Sequence, residues 1–140
     1  LNNKTLAIIK PDSVKNRLTG KIIDRILATG FNIVAMEQVY LTKDQAQDFY
    51  DIHKGKPFYH DLVEFITSGP CIPIVLEKDN AVTTFRELIG ATDPFQAEEG
   101  TIRYEFAHNI QENAVHGSDS NQTALKEIAF FFPTVEIPES

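Results

Sequence analysis

Short β-branched runs that alternate with segments of helical periodicity predict an α/β or α+β sandwich, with helices covering a sheet of about four strands. The apolar runs at residues 5–9, 31–41 and 71–76 have the length and composition of strands. Between and after them, apolar residues recur at helical spacing and stop at Gly or Pro. A length of 140 residues with 42% hydrophobic content suits one domain over residues 1–140, with one sizeable core.

Taken in order, Thr5, Leu6, Ala7, Ile8 and Ile9 form a buried strand stopped by Pro11, which puts Lys10 at a strand end. Thr19 is placed to N-cap a helix with Ile22, Ile23, Ile26 and Leu27 on one face and Gly30 closing it. A long strand is expected over residues 31–41, through Ile33, Val34, Met36, Val39 and Tyr40. Thr42 then caps a helix with Asp44 and Gln45 in its first turn, burying Ala46, Phe49 and Tyr50 until Lys54-Gly55-Lys56-Pro57 breaks it. Leu62, Val63, Phe65 and Ile66 mark the inward face of the next helix, which Ser68-Gly69-Pro70 ends. Pro73 has no amide donor, so the run at 71–76 is expected at an edge or irregular position. Asn80 caps a helix that buries Val82, Phe85, Leu88 and Ile89 and stops at Gly90. Residues 91–115 show little periodicity, and loops of that length in compact domains usually serve a function. A last helix from about Ser120 buries Ala124, Leu125, Ile128 and Phe132 before Pro133 opens a polar tail.

Charge and cysteine usage narrow the function classes. A net charge of -7 makes the whole-molecule field repel polyanions, so neither nucleic acid nor an anionic membrane surface is an expected partner. A small phosphate ligand would need a local gathering of Lys and Arg. One cysteine, Cys71, excludes an intrachain disulfide and fits a reducing compartment, and it reads as a small buried hydrophobe. Apolar runs fall far short of a membrane span and no signal-peptide pattern opens the chain, so a cytoplasmic placement is expected.

One stretch concentrates the chemistry: Asn113-Ala114-Val115-His116-Gly117-Ser118-Asp119-Ser120, followed by a helical segment carrying Glu127. An imidazole has an unperturbed pKa near ~6.5, so at neutral pH much of it is neutral, with one ring nitrogen free as nucleophile or base. The run 118–120 supplies N-cap residues, and Asp119 with Gln122 fits a variant capping box, which sets His116 just ahead of a helix N-terminus that attracts anions. A histidine beside a loop is also a common structural residue, so the rest of the chain has to decide. A Walker A loop would need glycine where Lys15 stands and Ser or Thr where Ile22 stands. No Gly-rich dinucleotide fingerprint is present, and Ser118 lacks the elbow of a serine hydrolase and reads as a cap. His53, His60 and His108 have no clustered partners at zinc-ligand spacing and read as surface or loop packing. What remains is a nucleophilic histidine with Lys10, Arg86 and Arg103 as cations that could meet around a phosphate.

At this point the chain resembles the nucleoside diphosphate kinase family. The Asn113 to Ser120 segment matches that family's signature around its phosphorylated histidine. Ile8-Ile9-Lys10-Pro11-Asp12, Lys56-Pro57-Phe58, Ser68-Gly69-Pro70, Gly90-Ala91-Thr92-Asp93-Pro94, Gly100-Thr101-Ile102-Arg103 and the Glu127 helix recur in the family's order. The resemblance implies transfer of the γ-phosphate of a nucleoside triphosphate to a nucleoside diphosphate, with Mg²⁺, through a phosphohistidine on His116 formed at Nδ1. It sets Lys10 on the transferred phosphate and sugar hydroxyl, Arg86, Thr92 and Arg103 on the phosphates, and Asn113 on the ribose 3'-hydroxyl. Phe58 would stack on one face of the base and Ile110 cover the other. Tyr50 would lie beside His116, Glu127 would hydrogen-bond nearby, and Asp119 would approach the metal through water. Which His116 nitrogen meets Glu127 stays open.

By the same resemblance the fold is a ferredoxin-like βαββαβ sandwich of α+β class, a four-stranded antiparallel sheet covered by helices. The protein would be a homo-oligomer, tetramer or hexamer, built from dimers, with residues 91–112 as the inter-subunit loop, whose Phe95, Ile102 and Phe106 would be buried against neighbours or the chain's own helices. A catalytically silent family member acting as a scaffold is the alternative. Lys56 for a usual Arg, Tyr59 for a usual Phe, bulky Phe95, and Tyr104-Glu105 where a small residue and Asp are commoner depart from the pattern without removing a catalytic group.

Overall fold

The computed structural model describes residues 3–135. Strand β1 (Lys4–Ile9) is buried along its whole length, so it carries apolar residues on both faces. It pairs antiparallel with β3 (Ile72–Glu77) on one side and with β4 (Val115–Gly117) on the other. Strand β2 (Asn32–Met36) joins the outer side of β3, also antiparallel, giving the order β2-β3-β1-β4. Alternate residues of β1 serve opposite layers. Ala7 and Ile9 meet Ile22 and Ile26 of α2 (Thr19–Ala28) and Phe85 and Ile89 of α5 (Ala81–Ile89). Leu6 and Ile8 meet Ala46 of α3 (Lys43–Phe49), Val63 and Ile66 of α4 (Tyr59–Ile66), and Ile128 of α7 (Asn121–Phe131). The path β1-α2-β2-β3-α5-β4 is βαββαβ, the ferredoxin-like α+β fold with further helices added.

The termini of these elements follow local chemistry, and several differ from the sequence expectation. Thr42 and Gln45 form the reciprocal capping box of α3, each side chain bonding the other's backbone amide, at 3.1 and 2.9 Å. Helix α2 starts one residue earlier than expected: Leu18 is its N-cap, with Thr19 already helical and no side-chain cap. Its apolar stripe is narrower too, since Ile22 and Ile26 are fully buried while Leu27 is exposed. Helix α7 is capped by Ser120, whose hydroxyl accepts from the Thr123 amide at 3.0 Å, and not by the Asp119–Gln122 box. Leu125 faces outward.

The long strand expected at 31–41 is shorter. A register shift between Ile33 and Ala35 interrupts β2, which ends at Met36, and beyond it the pairing continues only irregularly, through the Glu37 amide to the Pro73 carbonyl and a bridge from Val39 to Cys71. That early ending explains why Pro73 stands in an interior strand and not at an edge. Its carbonyl accepts from the Glu37 amide, so its donorless nitrogen faces the side where β2 has just stopped, and toward β1 it lies opposite Ile8 with no ladder bond required of it. Two short helices were not foreseen: α1 (Pro11–Lys15), with Pro at its start, and α6 (Ile102–Phe106), capped by Thr101, inside the stretch of weak periodicity. Ile102 of α6 is buried in this chain's own core, whereas Phe95 is 83% exposed. Most of the polar tail expected after Pro133 lies outside the described residues.

Candidate active site

His116 stands on β4, opposite Ile8 of β1, with the N-cap of α7 four residues further on, so the segment ahead of that helix is a strand. A strand of three residues holds it because β1 is itself fixed on both faces. In a strand, residues two apart share a face, so Ser118 follows His116 on the same side as the pairing runs on through the Ser118 amide to the Leu6 carbonyl at 3.1 Å. Both side chains reach one oxygen of Glu127 on α7: His116 Nε2 lies 2.9 Å and Ser118 Oγ 2.7 Å from Glu127 Oε1. A carboxylate only accepts, so Ser118 and the Nε2–H of His116 both donate to it, and the neutral ring then carries its lone pair at Nδ1. Ser118 in turn accepts from the Leu6 amide at 3.2 Å, and is fully buried. It is thus a strut of this relay and not a helix cap.

A cavity of about 860 Å³ opens in front of His116. Lys10, Tyr50, Phe58, Arg86, Thr92, Arg103, Ile110, Asn113, Asp119 and Glu127 all line it with His116, so segments distant in the chain meet there. Lys10 is drawn in because β1 ends at the sheet's edge of the cavity. Its ammonium donates to Asn113 Oδ1 at 2.7 Å. Burial, then the nearby charge of Arg103, lowers its pKa to about 8, while Asp12 opposes the change. Arg103, on α6, is buried and gives hydrogen bonds to three backbone carbonyls: Asn113 at 3.3 Å, Gly90 at 3.1 Å and Val115 at 2.8 Å. Burial, then the charge of Arg86, lowers its pKa to about 10, which still leaves it protonated at neutral pH. It therefore braces the loops as well as placing a positive charge. Arg86, on α5, is exposed and reaches the Gly117 carbonyl at 3.4 Å, and the Thr92 carbonyl lies 3.4 Å from Asn113 Nδ2.

Other residues complete the cavity. Phe49 sets its ring edge-on to His116, 5.6 Å between centroids at 73°, and belongs to an aromatic group with Tyr50, Phe130 and Phe131. Tyr50 is buried beside it, and burial raises its pKa. His53 lines the cavity too, one helical turn beyond Tyr50, with its ring 5.3 Å from that of Phe58. Burial, then the charge of Lys56, lowers its pKa. The i, i+3 spacing of Tyr50 and His53 was the available signal for this, as the i, i+2 spacing was for His116 and Ser118. At the mouth, Phe58 and Ile110 are 45% and 60% exposed. Among the described residues, no group of three His, Cys, Asp or Glu is arranged to hold a metal. None of the described helices is long and apolar enough to cross a membrane.

A family model described as nucleoside diphosphate kinase matches residues 3–137. The chain belongs to the nucleoside diphosphate kinase family. A relative of that name from Salinibacter ruber is 54% identical over 134 residues, 96% of this chain and 94% of the other. One from Chlorobium limicola is 53% identical over 134 residues, covering 96% of each. The solved structure of the Aquifex aeolicus nucleoside diphosphate kinase superposes with a TM-score of 0.93 at 40% identity, covering 96% of this chain and 98% of that one.

Proposed function

We propose that this chain transfers the γ-phosphate of a nucleoside triphosphate to a nucleoside diphosphate by a ping-pong route through His116. The observation that carries this is the relay in which Glu127 Oε1 holds His116 Nε2 at 2.9 Å and leaves Nδ1 as the nucleophilic nitrogen. In the first half-reaction Nδ1 forms a bond to the γ-phosphorus, and the bond to the bridging oxygen breaks with its electron pair, releasing the diphosphate. The ring becomes cationic, and the Glu127 carboxylate stabilises that charge. In the second half-reaction a terminal oxygen of another diphosphate attacks the phosphorus, and the electron pair returns to Nδ1.

Phosphoryl transfer is largely positioning and charge stabilisation, so buried cations suit it. Lys10 serves the transferred phosphate and the sugar hydroxyl, Arg86, Thr92 and Arg103 serve the phosphates, and Asn113 serves the ribose 3'-hydroxyl. Tyr50 lines the pocket beside His116. Phe58 and Ile110 clasp the base without reading its edge, so every base is accepted. Magnesium fits as a ligand of the nucleotide's own phosphates: Asp119 is an exposed carboxylate on the cavity that would meet it through water, and no protein cage is present among the described residues. When bound, it neutralises phosphate charge. We further infer one domain over residues 1–140, a cytoplasmic homo-oligomer built from dimers, and no nucleic-acid or membrane partner. The scaffold alternative gains no support, because each group that the chemistry needs faces one cavity.

Incubation with γ-labelled ATP should leave acid-labile, alkali-stable phosphate on the protein, and His116→Ala should abolish both labelling and turnover. Turnover by His116→Ala at the wild-type rate would overturn the reading.

A further inference from the structure

We propose that Asp12 is a positioning residue for the reaction: by clamping a strained turn at Ala114, it sets where Asn113 and His116 stand relative to one another. The inference rests on His116 being the phosphate acceptor. Ala114 has φ +75°, one of few non-glycine residues with positive φ here. The Val115 amide bonds the Asn113 carbonyl at 2.9 Å across it, closing a three-residue turn. Such γ-turns with positive φ are rare for a residue with a side chain, and they last only where their surroundings over-determine them.

The surroundings come from the segment that follows β1. Asp12 Oδ2 accepts from the Ala114 amide at 3.1 Å. The Ala114 carbonyl accepts from the Lys10 amide at 2.9 Å and from Ser13 Oγ at 3.2 Å. Arg103 takes the carbonyls on either side, those of Asn113 and Val115. The turn is therefore gripped at both polar backbone atoms of Ala114 and at the carbonyls on either side, and the Asp12 carboxylate is the partner of the Ala114 amide. Asn113, the first residue of the turn, faces Lys10, and His116 comes two residues after Ala114. Relaxing Ala114 toward negative φ would change the separation of these two cavity groups.

Burying Asp12 is itself unfavourable. It is 5% exposed, and burial is the foremost influence on its carboxyl, raising the pKa, with the Ala114 amide the first contact opposing it. As an acid in the first turn of α1 it would complement the helix dipole equally well from solvent, so α1 alone does not account for the burial. The rival account is that Asp12 serves as counter-charge to Lys10. Asparagine separates the two, because its amide oxygen still accepts from the Ala114 amide but brings no charge.

The test measures single-turnover labelling of His116 by saturating γ-labelled ATP, with nucleotide affinity and melting temperature alongside, in wild type, Asp12→Asn, Asp12→Ala, Ala114→Gly and the Asp12→Ala/Ala114→Gly double variant. Asp12→Ala should slow labelling roughly ten- to a hundredfold with affinity changed far less, as expected of a small misplacement of reacting groups. Asp12→Asn should keep most of the wild-type rate. The double variant should recover most of the loss, since glycine adopts positive φ without strain. The proposal is overturned if Asp12→Asn is as slow as Asp12→Ala, or if Ala114→Gly restores neither the rate nor, should Asp12→Ala fail to fold, the folded protein. A wild type that takes no label would overturn the kinase reading as well, and that control separates the two failures.

Discussion

The two ends of the cavity are built by opposite means. At the chemical end, Lys10, Asn113, Arg103, His116, Ser118 and Glu127 are buried or nearly so and linked by hydrogen bonds of 2.7 to 3.3 Å. At the mouth, Phe58 and Ile110 are about half exposed and present apolar surface, with Lys56 over the Phe58 ring at 5.9 Å. Directional bonds fix angles, whereas apolar faces fix little beyond a plane. On the proposed function, a site made this way would be strict about the phosphate, which is common to all nucleotides, and lenient about the base, which varies.

Substitutions at the two ends should therefore fail differently. Glu127→Gln keeps the side chain's shape but removes the charge that stabilises a cationic ring, and kcat should fall roughly a hundredfold with KM little changed. Next comes pH. Lys10 loses its proton as pH rises through about 8, and because its charged form is the useful one, kcat/KM should decline above that value, by up to about tenfold per pH unit. A flat profile to pH 9.5 would remove Lys10 from the phosphate. At the mouth, Phe58→Ala should raise KM by roughly tenfold, from stacking worth about 1–3 kcal/mol, and by similar factors for purine and pyrimidine nucleotides. A loss confined to one base would show that the mouth reads base identity after all. Smallest, and remote from both ends, Thr42→Ala removes half of a capping box: about 1 kcal/mol of stability should go, seen as a lower Tm, with kcat intact.

Legibility in the sequence follows the same division between local and long-range physics. Helix α3 is readable from its cap residue Thr42 and α5 from its terminal Gly90, although the Asn80 side chain makes no cap bond to α5. Strand β4 was not, because three residues carry no periodicity and it exists only as an addition to the edge of β1. Pro73 misled in the other direction. Alone it argues for an edge, and only the early end of β2, a property of another segment, makes an interior place tolerable. Helix α6 was hidden in a loop-like composition, although Thr101 gave a cap signal. The cavity residues were named through the family resemblance of their motifs, since no local pattern links Lys10 to Arg103 or to His116. What motifs do not encode is which atom meets which, and Ser118 shows the cost: residue type suggested a cap, while strand periodicity set it against Glu127.

On the proposed route, Glu127 occupies Nε2 of His116 and thereby directs the phosphoryl group to the other nitrogen. Nuclear magnetic resonance of the alkaline-stable phosphoprotein, with nitrogen-labelled histidine, reports which ring nitrogen bears phosphorus. Phosphate on Nδ1 of His116 is the expected result; phosphate on Nε2, or on a different histidine, would overturn the proposed route.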